Sequence, residues 1–209
     1  VNRYIVEGTQ VRAGENPYVV PPARSSVGDE LPPEVLAGVN HPEWTAIYPP
    51  LTLLVEAGIT HVTVDPLGFK LAMLLAELTG LLLVLGLLVR SEFPRSWILF
   101  AAWNPLGPLF GVGEGHHDFL MAALVAAALW LWAHERVGGG VVAAVMAAMI
   151  KPFALVSLPA KLRPTDTWHW ALSGIVVLLA YVPFLGAGLA LFRSAGRFGT
   201  EMHFNGALE

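Results

Sequence analysis

The chain has 209 residues, 55% of them hydrophobic and only 13% charged, with a mean hydropathy of +0.60, a net charge of −4 and no cysteine. Apolar runs of membrane length predict an integral membrane protein, and the lack of cysteine excludes disulfides, iron–sulfur clusters and thiolate zinc sites. Neither a Gly-x-x-x-x-Gly-Lys-Ser/Thr loop nor a Gly-x-Gly-x-x-Gly turn after a strand occurs, which leaves a soluble nucleotide-sugar enzyme unsupported; a nucleic-acid partner is not expected.

Val1 to Tyr48 is rich in turn residues, including Asn16-Pro17, Pro21-Pro22, Pro32-Pro33 and His41-Pro42, with no sustained helical or strand period. It reads as a structured polar loop. The chain opens at Val1 in polar sequence, with neither the charged nor the apolar region of a signal peptide, so it reads as an internal fragment preceded by at least one span. Pro50 to Val64 places Leu51, Leu54, Val55, Ile59 and Val62 on one helical face and Thr52, Glu56, Thr60 and Thr63 on the other. Too short and polar to cross, it is expected to lie along the membrane surface.

Leu67 to Val89 has the length of a full span. Ser96 to Gly111 and Phe119 to Ala133 read as shorter spans, rising only about 22–24 Å at 1.5 Å per residue. In the apolar stretch Val137 to Ala160, Lys151 is followed at once by Pro152. The chain is expected to break there, with Gly138 to Ile150 rising as a short helix and Phe153 to Leu158 returning, so that the ammonium sits at the water boundary. Trp168 to Leu191 forms the last span. Arg90 and Arg95, Arg136, and Lys161 and Arg163 make three positive turns on the cytoplasmic side if the Lys151 segment is a hairpin. The acidic loops then share the outer face. The fold expected is all-α, a polytopic membrane helical bundle with a structured external loop and a juxtamembrane helix, divided at residues 1–64, 65–192 and 193–209.

Four polar groups are expected on the outer face: the loop Asn40-His41-Pro42-Glu43 with Ile47-Tyr48-Pro49-Pro50, the turn Gly113 to Asp118, Lys151, and the tail Glu201 to Gly206. Cations and imidazoles against a membrane surface suit a lipid-linked phosphate. Other roles compete at each position. Asp118 is equally placed to cap the helix starting near Phe119, a metal contact is a third reading of His116, His117 and Asp118, and Lys151 is long enough to snorkel as an anchor. Adjacent histidines cannot both face inward on one helix. Glu77, mid-span, is either a functional carboxylate or a neutral acid bonded to a neighbouring helix. Arg3, Tyr4 and Glu7 are either site or ordinary loop residues. Trp44, Trp97, Trp103, Trp168 and Trp170 read as aromatic-belt or packing residues.

Taken in order, Arg3-Tyr4 with Glu7-Gly8, Gly14-Glu15-Asn16-Pro17-Tyr18, Asn40-His41-Pro42-Glu43 with Ile47-Tyr48-Pro49-Pro50, Trp103-Asn104-Pro105-Leu106, Gly115-His116-His117-Asp118, Ile150-Lys151-Pro152-Phe153 and Phe204-Asn205-Gly206 form a series. It resembles the bacterial polytopic glycosyltransferases of the GT-C fold, in particular the polyprenol-phosphate-mannose-dependent mannosyltransferases. The resemblance spans essentially the whole chain. It implies transfer of a hexose from a polyprenyl-phosphate sugar donor to a lipid or glycan acceptor outside the cell membrane, with a catalytic Asp early in the first external loop. No Asp precedes Arg3-Tyr4, so the base is expected upstream of Val1, with Glu43 as the best visible substitute. The family's usual turn reads Gly-His-Asn-Asp; here His117 replaces the Asn.

By that resemblance Arg3, Tyr4, Glu7, Asn40, His41, Tyr48, His116, Asp118, Lys151 and Asn205 are the expected substrate-binding residues, with Lys151 as the phosphate partner. No residue is assigned to a metal and no cofactor is required, though a divalent cation is compatible with the site. An inverting transfer needs a carboxylate to deprotonate the acceptor and cations to stabilise the departing phosphate; the residues seen suit the second task better. The competing classes are a transporter or flippase for a lipid-linked substrate, which also uses broken helices, and a non-catalytic membrane scaffold.

Overall fold

A computed structural model describes residues 1–161 and 167–201, which are helical with no strand. The α-helices are α1 Asn2–Arg12, α2 Pro33–Ala37, α3 Pro50–Val62, α4 Pro66–Arg90, α5 Ile98–Ala102, α6 Asp118–Ala133, α7 Val137–Ile150, α8 Thr167–Tyr181 and α9 Arg193–Glu201. Two helical runs are long and apolar enough to cross a membrane, Pro66–Arg90 and Thr167–Arg197. The second changes from α to 3-10 geometry at Val182 and kinks at Gly188, whose φ of 51° falls in the region that favours glycine.

The chain divides into two compact units. One comprises Val1, Pro49–Thr52 and Asp65–Tyr181; the other comprises Asn2–Tyr48, Leu53–Val64 and residues 182–201.

In the first unit α4 starts sharply because the Asp65 side chain accepts from the Leu67 amide at 2.8 Å and Pro66 occupies the first turn. Helices α4, α6 and α7 pack through small residues. A methyl added to Gly80 would lie 3.3 Å from the Ala123 Cα, and one added to Gly140 would run into the Trp132 indole. Such residues let helix backbones approach closely where the surroundings are apolar. Ala128, Trp132, Val141, Ala143 and Ala144 form the core between α6 and α7. Helix α7 ends at Ile150, whose carbonyl accepts from Thr52 Oγ1 at 2.9 Å. Lys151 then turns extended, at φ −141° and ψ 124°, and a 3-10 segment, Pro152–Lys161, follows. Proline removes one amide donor and crowds the preceding residue out of the helical region, which is why the helix stops there.

The stretch expected as one span from Ser96 to Gly111 is instead broken. It runs through a 3-10 turn at Arg95–Trp97, the short α5, and a π-helical turn at Gly107–Val112. Asn104 Oδ1 captures the Leu106 amide at 3.1 Å and Pro105 offers no donor, so the helix cannot continue through that point.

In the second unit the polar loop expected over Val1 to Tyr48 contains helices, a correction to the sequence reading. Helix α1 buries every residue from Arg3 to Gln10, including Arg3, Glu7, Thr9 and Gln10. With polar and apolar residues buried alike around the helix, no hydrophobic period marks it. In α3, Thr52, Glu56 and Thr60 are buried together with Leu53, while Leu51, Leu54, Val55 and Ile59 are partly exposed and Val62 is 87% exposed. The core of this unit gathers Tyr18, Ala46, Leu53 and Phe184. Tyr18 meets Phe184 edge to face at 5.4 Å and donates its hydroxyl to the Tyr48 carbonyl at 2.6 Å. Glu15 ties the connecting turns together through the Ser25 and Ser26 hydroxyls, each at 2.6 Å. Partial burial disfavours its charge, but these bonds, the Ser26 amide and Gln10 outweigh it and pull the carboxyl down to about 2.

Candidate functional site

Within the first unit, the end of α7 meets the start of α6. Lys151 Nζ donates to both carboxylate oxygens of Asp118, each at 2.8 Å. His117, not Asp118, occupies the N-cap position of α6, and no side chain caps the helix there. Asp118 therefore orients the ammonium instead of capping. The preceding turn, Gly113 to His117, passes through Gly115 at φ 67°, a backbone conformation glycine adopts freely. His116 is half-buried and His117 fully buried, with the Phe69 ring edge-on to its imidazole at 5.8 Å. Burial first, and then the positive charge of Lys151, lowers the pKa of both histidines, that of His117 to about 3. The neighbourhood thus offers the Lys151 cation, the partly exposed Asp118 carboxylate and neutral imidazoles.

Within the second unit, Arg3 organises a different cluster. Its Nε donates to Glu7 Oε1 at 2.8 Å; Nη1 donates to the carbonyls of Asn40 at 3.2 Å and His41 at 2.9 Å; Nη2 donates to those of Trp44 at 2.7 Å and Thr45 at 3.0 Å. Tyr4 and Tyr48 lie edge to face with centroids 5.8 Å apart and hydroxyls 3.3 Å apart. Burial, and then the neighbouring Tyr48, pushes the Tyr4 hydroxyl above its ordinary range. Glu7 and Glu56 are both fully buried. Burial raises the Glu7 pKa although Arg3 opposes it, and raises that of Glu56 well above the carboxylate range, with the Glu7 charge adding to the effect. The Arg3 guanidinium is bonded to Glu7 and acts on Glu56 through its charge. The loop held by Arg3 leaves Asn40, His41 and Glu43 exposed and Trp44 half-buried.

The sequence-chosen residues thus fall into two groups. His116, Asp118 and Lys151 gather in the first unit; Arg3, Tyr4, Glu7, Asn40, His41, Glu43 and Tyr48 belong to the second. Asn205 lies outside the described residues. In the sequence Glu56 is one member of a polar face; the signal that marks it is the repeat Thr52, Glu56, Thr60 at helical spacing, all three of them buried. Among the described residues no three His, Asp or Glu side chains are arranged to hold a metal ion.

A family model described as alpha-(1->6)-mannopyranosyltransferase, N-terminal domain (MptA_B family) matches residues 1–163. No curated protein and no solved structure matches the chain.

Proposed function

The chain belongs to the alpha-(1->6)-mannopyranosyltransferase N-terminal domain family, and on that premise we propose that it transfers mannose from a polyprenyl-phosphate donor to a lipid or glycan acceptor. The proposal places the chain in a cell membrane as a multi-pass protein of the GT-C fold, with its chemistry on the external face. The observation that carries it is the Lys151–Asp118 pair, in which an ammonium is fixed where α7 breaks out of an apolar stretch.

Breaking the bond between the sugar and the polyprenyl phosphate leaves negative charge on the departing phosphate. A cation already oriented by a carboxylate stabilises that charge in the transition state without reorganising. Asp118 supplies the orientation, and His116, with its protonation disfavoured, is suited to contact a sugar hydroxyl as a neutral hydrogen-bonding group. Deprotonating the acceptor hydroxyl calls for an accessible carboxylate; the best visible substitute for such a base is Glu43, exposed on the 40–45 loop.

The test is mannosyl transfer by the full chain in membranes, using a radiolabelled polyprenyl-phosphate mannose. Lys151→Ala and Asp118→Asn are expected to lose at least about tenfold in turnover, equivalent to about 1.4 kcal/mol of transition-state stabilisation. Because side chains 22% and 52% exposed form a pair worth only about 0–1 kcal/mol to the fold, both variants should melt close to the unmutated chain. Lys151→Arg should recover only part of the activity, since a planar fork differs from a point charge. Full activity in Lys151→Ala would leave that lysine as an anchor and remove the pair from the mechanism. Movement of the lipid-linked sugar across the membrane without transfer would favour a flippase.

A further inference from the structure

We infer that Arg3 is a positioning residue for the loop of residues 40–45 and not a ligand for the substrate phosphate. The inference rests on the reading above, in which that loop takes part in mannosyl transfer. A guanidinium has five N–H donors. In Arg3 each group has acceptors within the protein: Nε has the Glu7 carboxylate, and the two Nη groups have four backbone carbonyls, those of Asn40, His41, Trp44 and Thr45. The residue is only 8% exposed. A substrate phosphate would have to displace these bonds to reach it.

Geometry in the loop explains why such a residue is needed. Four carbonyl oxygens converging on one point repel one another unless a dense donor sits between them. His41 adopts φ 46°, a left-handed conformation that costs a non-glycine residue energy and persists only when its surroundings impose it. The Trp44 amide closes a turn onto the His41 carbonyl at 2.9 Å, and the Pro42 carbonyl accepts from the Ala23 amide at 2.9 Å. A second support comes from α9: the Arg197 guanidinium lies 4.5 Å from the Trp44 ring, and the Thr45 and Ser194 hydroxyls are hydrogen-bonded. With its carbonyls turned in toward Arg3, the loop turns Asn40, His41 and Glu43 out to solvent in one conformation.

A lysine cannot replace Arg3 here. Its ammonium has three donors on a flexible stem, against five acceptor oxygens in a planar arrangement. At a phosphate site, by contrast, a lysine retains the charge that matters. The two roles therefore predict opposite results for Arg3→Lys.

Hydrogen exchange and limited proteolysis of the full chain in detergent, without substrate, read the loop directly; mannosyl transfer in membranes reads the reaction. Arg3→Ala and Arg3→Lys should both show faster exchange and new cleavage within residues 39–45. Both should lose at least about tenfold in turnover with little change in donor KM, while Lys151→Ala keeps the loop protected. Arg3→Lys with a protected loop and activity within about twofold of the unmutated chain overturns the inference. Should the Arg3 variants fail to fold, phenylglyoxal modification of the unmutated chain, read by mass spectrometry, decides the matter. Arg3 should stay unmodified with or without polyprenyl phosphate, and reactivity that this lipid suppresses would make Arg3 a phosphate ligand. An unmutated chain with a protected loop but no mannosyl transfer would sink the proposed function and leave the positioning of the loop standing.

Discussion

Gly8 on α1 and Glu56 on α3 touch backbone to backbone: a methyl built on Gly8 would lie 2.6 Å from both the carbonyl carbon and the carbonyl oxygen of Glu56. The approach is closer than any side chain allows, and it sets the two helices at a separation that seals Glu7 and Glu56 from water. Gly8→Ala forces those backbones apart. We expect a loss of about 1–3 kcal/mol, the usual cost of overpacking, seen as a lower melting temperature; an unchanged melting temperature would show that the helices can part freely.

Glu56→Gln tests which form of the buried carboxyl the fold prefers. Burial and the adjacent Glu7 raise the Glu56 pKa in the fold. Between the ordinary carboxylate range and that raised value, the folded chain holds more protons than the unfolded chain, so stability falls as pH rises through the window. Glutamine fixes the uncharged form and removes this loss. The variant should therefore gain in melting temperature at pH 8 relative to pH 5. A loss at pH 8 would mean that Glu56 is ionised in the folded chain.

His117 gives the opposite slope. Its folded pKa of about 3 lies below the reference value of 6.5, so the unfolded chain binds the extra proton as acid is added. The stability of the neutral, buried ring is present above pH 6.5 and is lost as pH falls toward 3. His117→Leu should flatten the fall in melting temperature between pH 6.5 and 4.5. Glu15, held down to about 2 from 4.5, contributes its own acid loss only below that window. An undiminished slope in His117→Leu would assign the acid sensitivity elsewhere.

The proposed orientation puts the positive turns at Arg90/Arg95, Arg136 and Lys161/Arg163 on the cytoplasmic side, with the Lys151 segment as a hairpin. In the cysteine-free chain, single cysteines at Ser26, Glu114 and Ala195 should each react with an impermeant thiol reagent added to intact cells. Reaction at Ala195 only after permeabilisation would reverse the path of the chain after Lys151.

What could be read from the sequence depended on whether burial and hydropathy agree. The predicted span Leu67 to Val89 falls within α4, Pro66–Arg90, because its apolar length needs no tertiary contact to be recognised. Phe119 to Ala133 likewise falls within α6, and Lys151-Pro152 marks the end of α7 because proline acts locally. Helix α1 is illegible for the opposite reason: it is buried all round, and Arg3, Glu7, Thr9 and Gln10 are buried with polar partners, so the usual apolar period is absent. At the site, Asp118 and Lys151 were both singled out, but their pairing across 33 positions is a product of helix packing that neither motif contains. His117, which replaces the Asn of the usual turn, is the fully buried histidine among the described residues.

The grip on residues 40–45 is made through main-chain oxygens, which every amino acid possesses. The shape of this loop is therefore encoded largely by a residue some 37 to 42 positions away in the chain. Asn40 and Glu43 can exchange for other side chains without forfeiting the hydrogen bonds that shape the loop, whereas His41, at φ 46°, is restricted to residues that accept a left-handed backbone. Selection on Arg3 and selection on the exposed side chains then act on separate properties, the shape of the loop in the first case and its surface chemistry in the second, and divergence in one need not disturb the other.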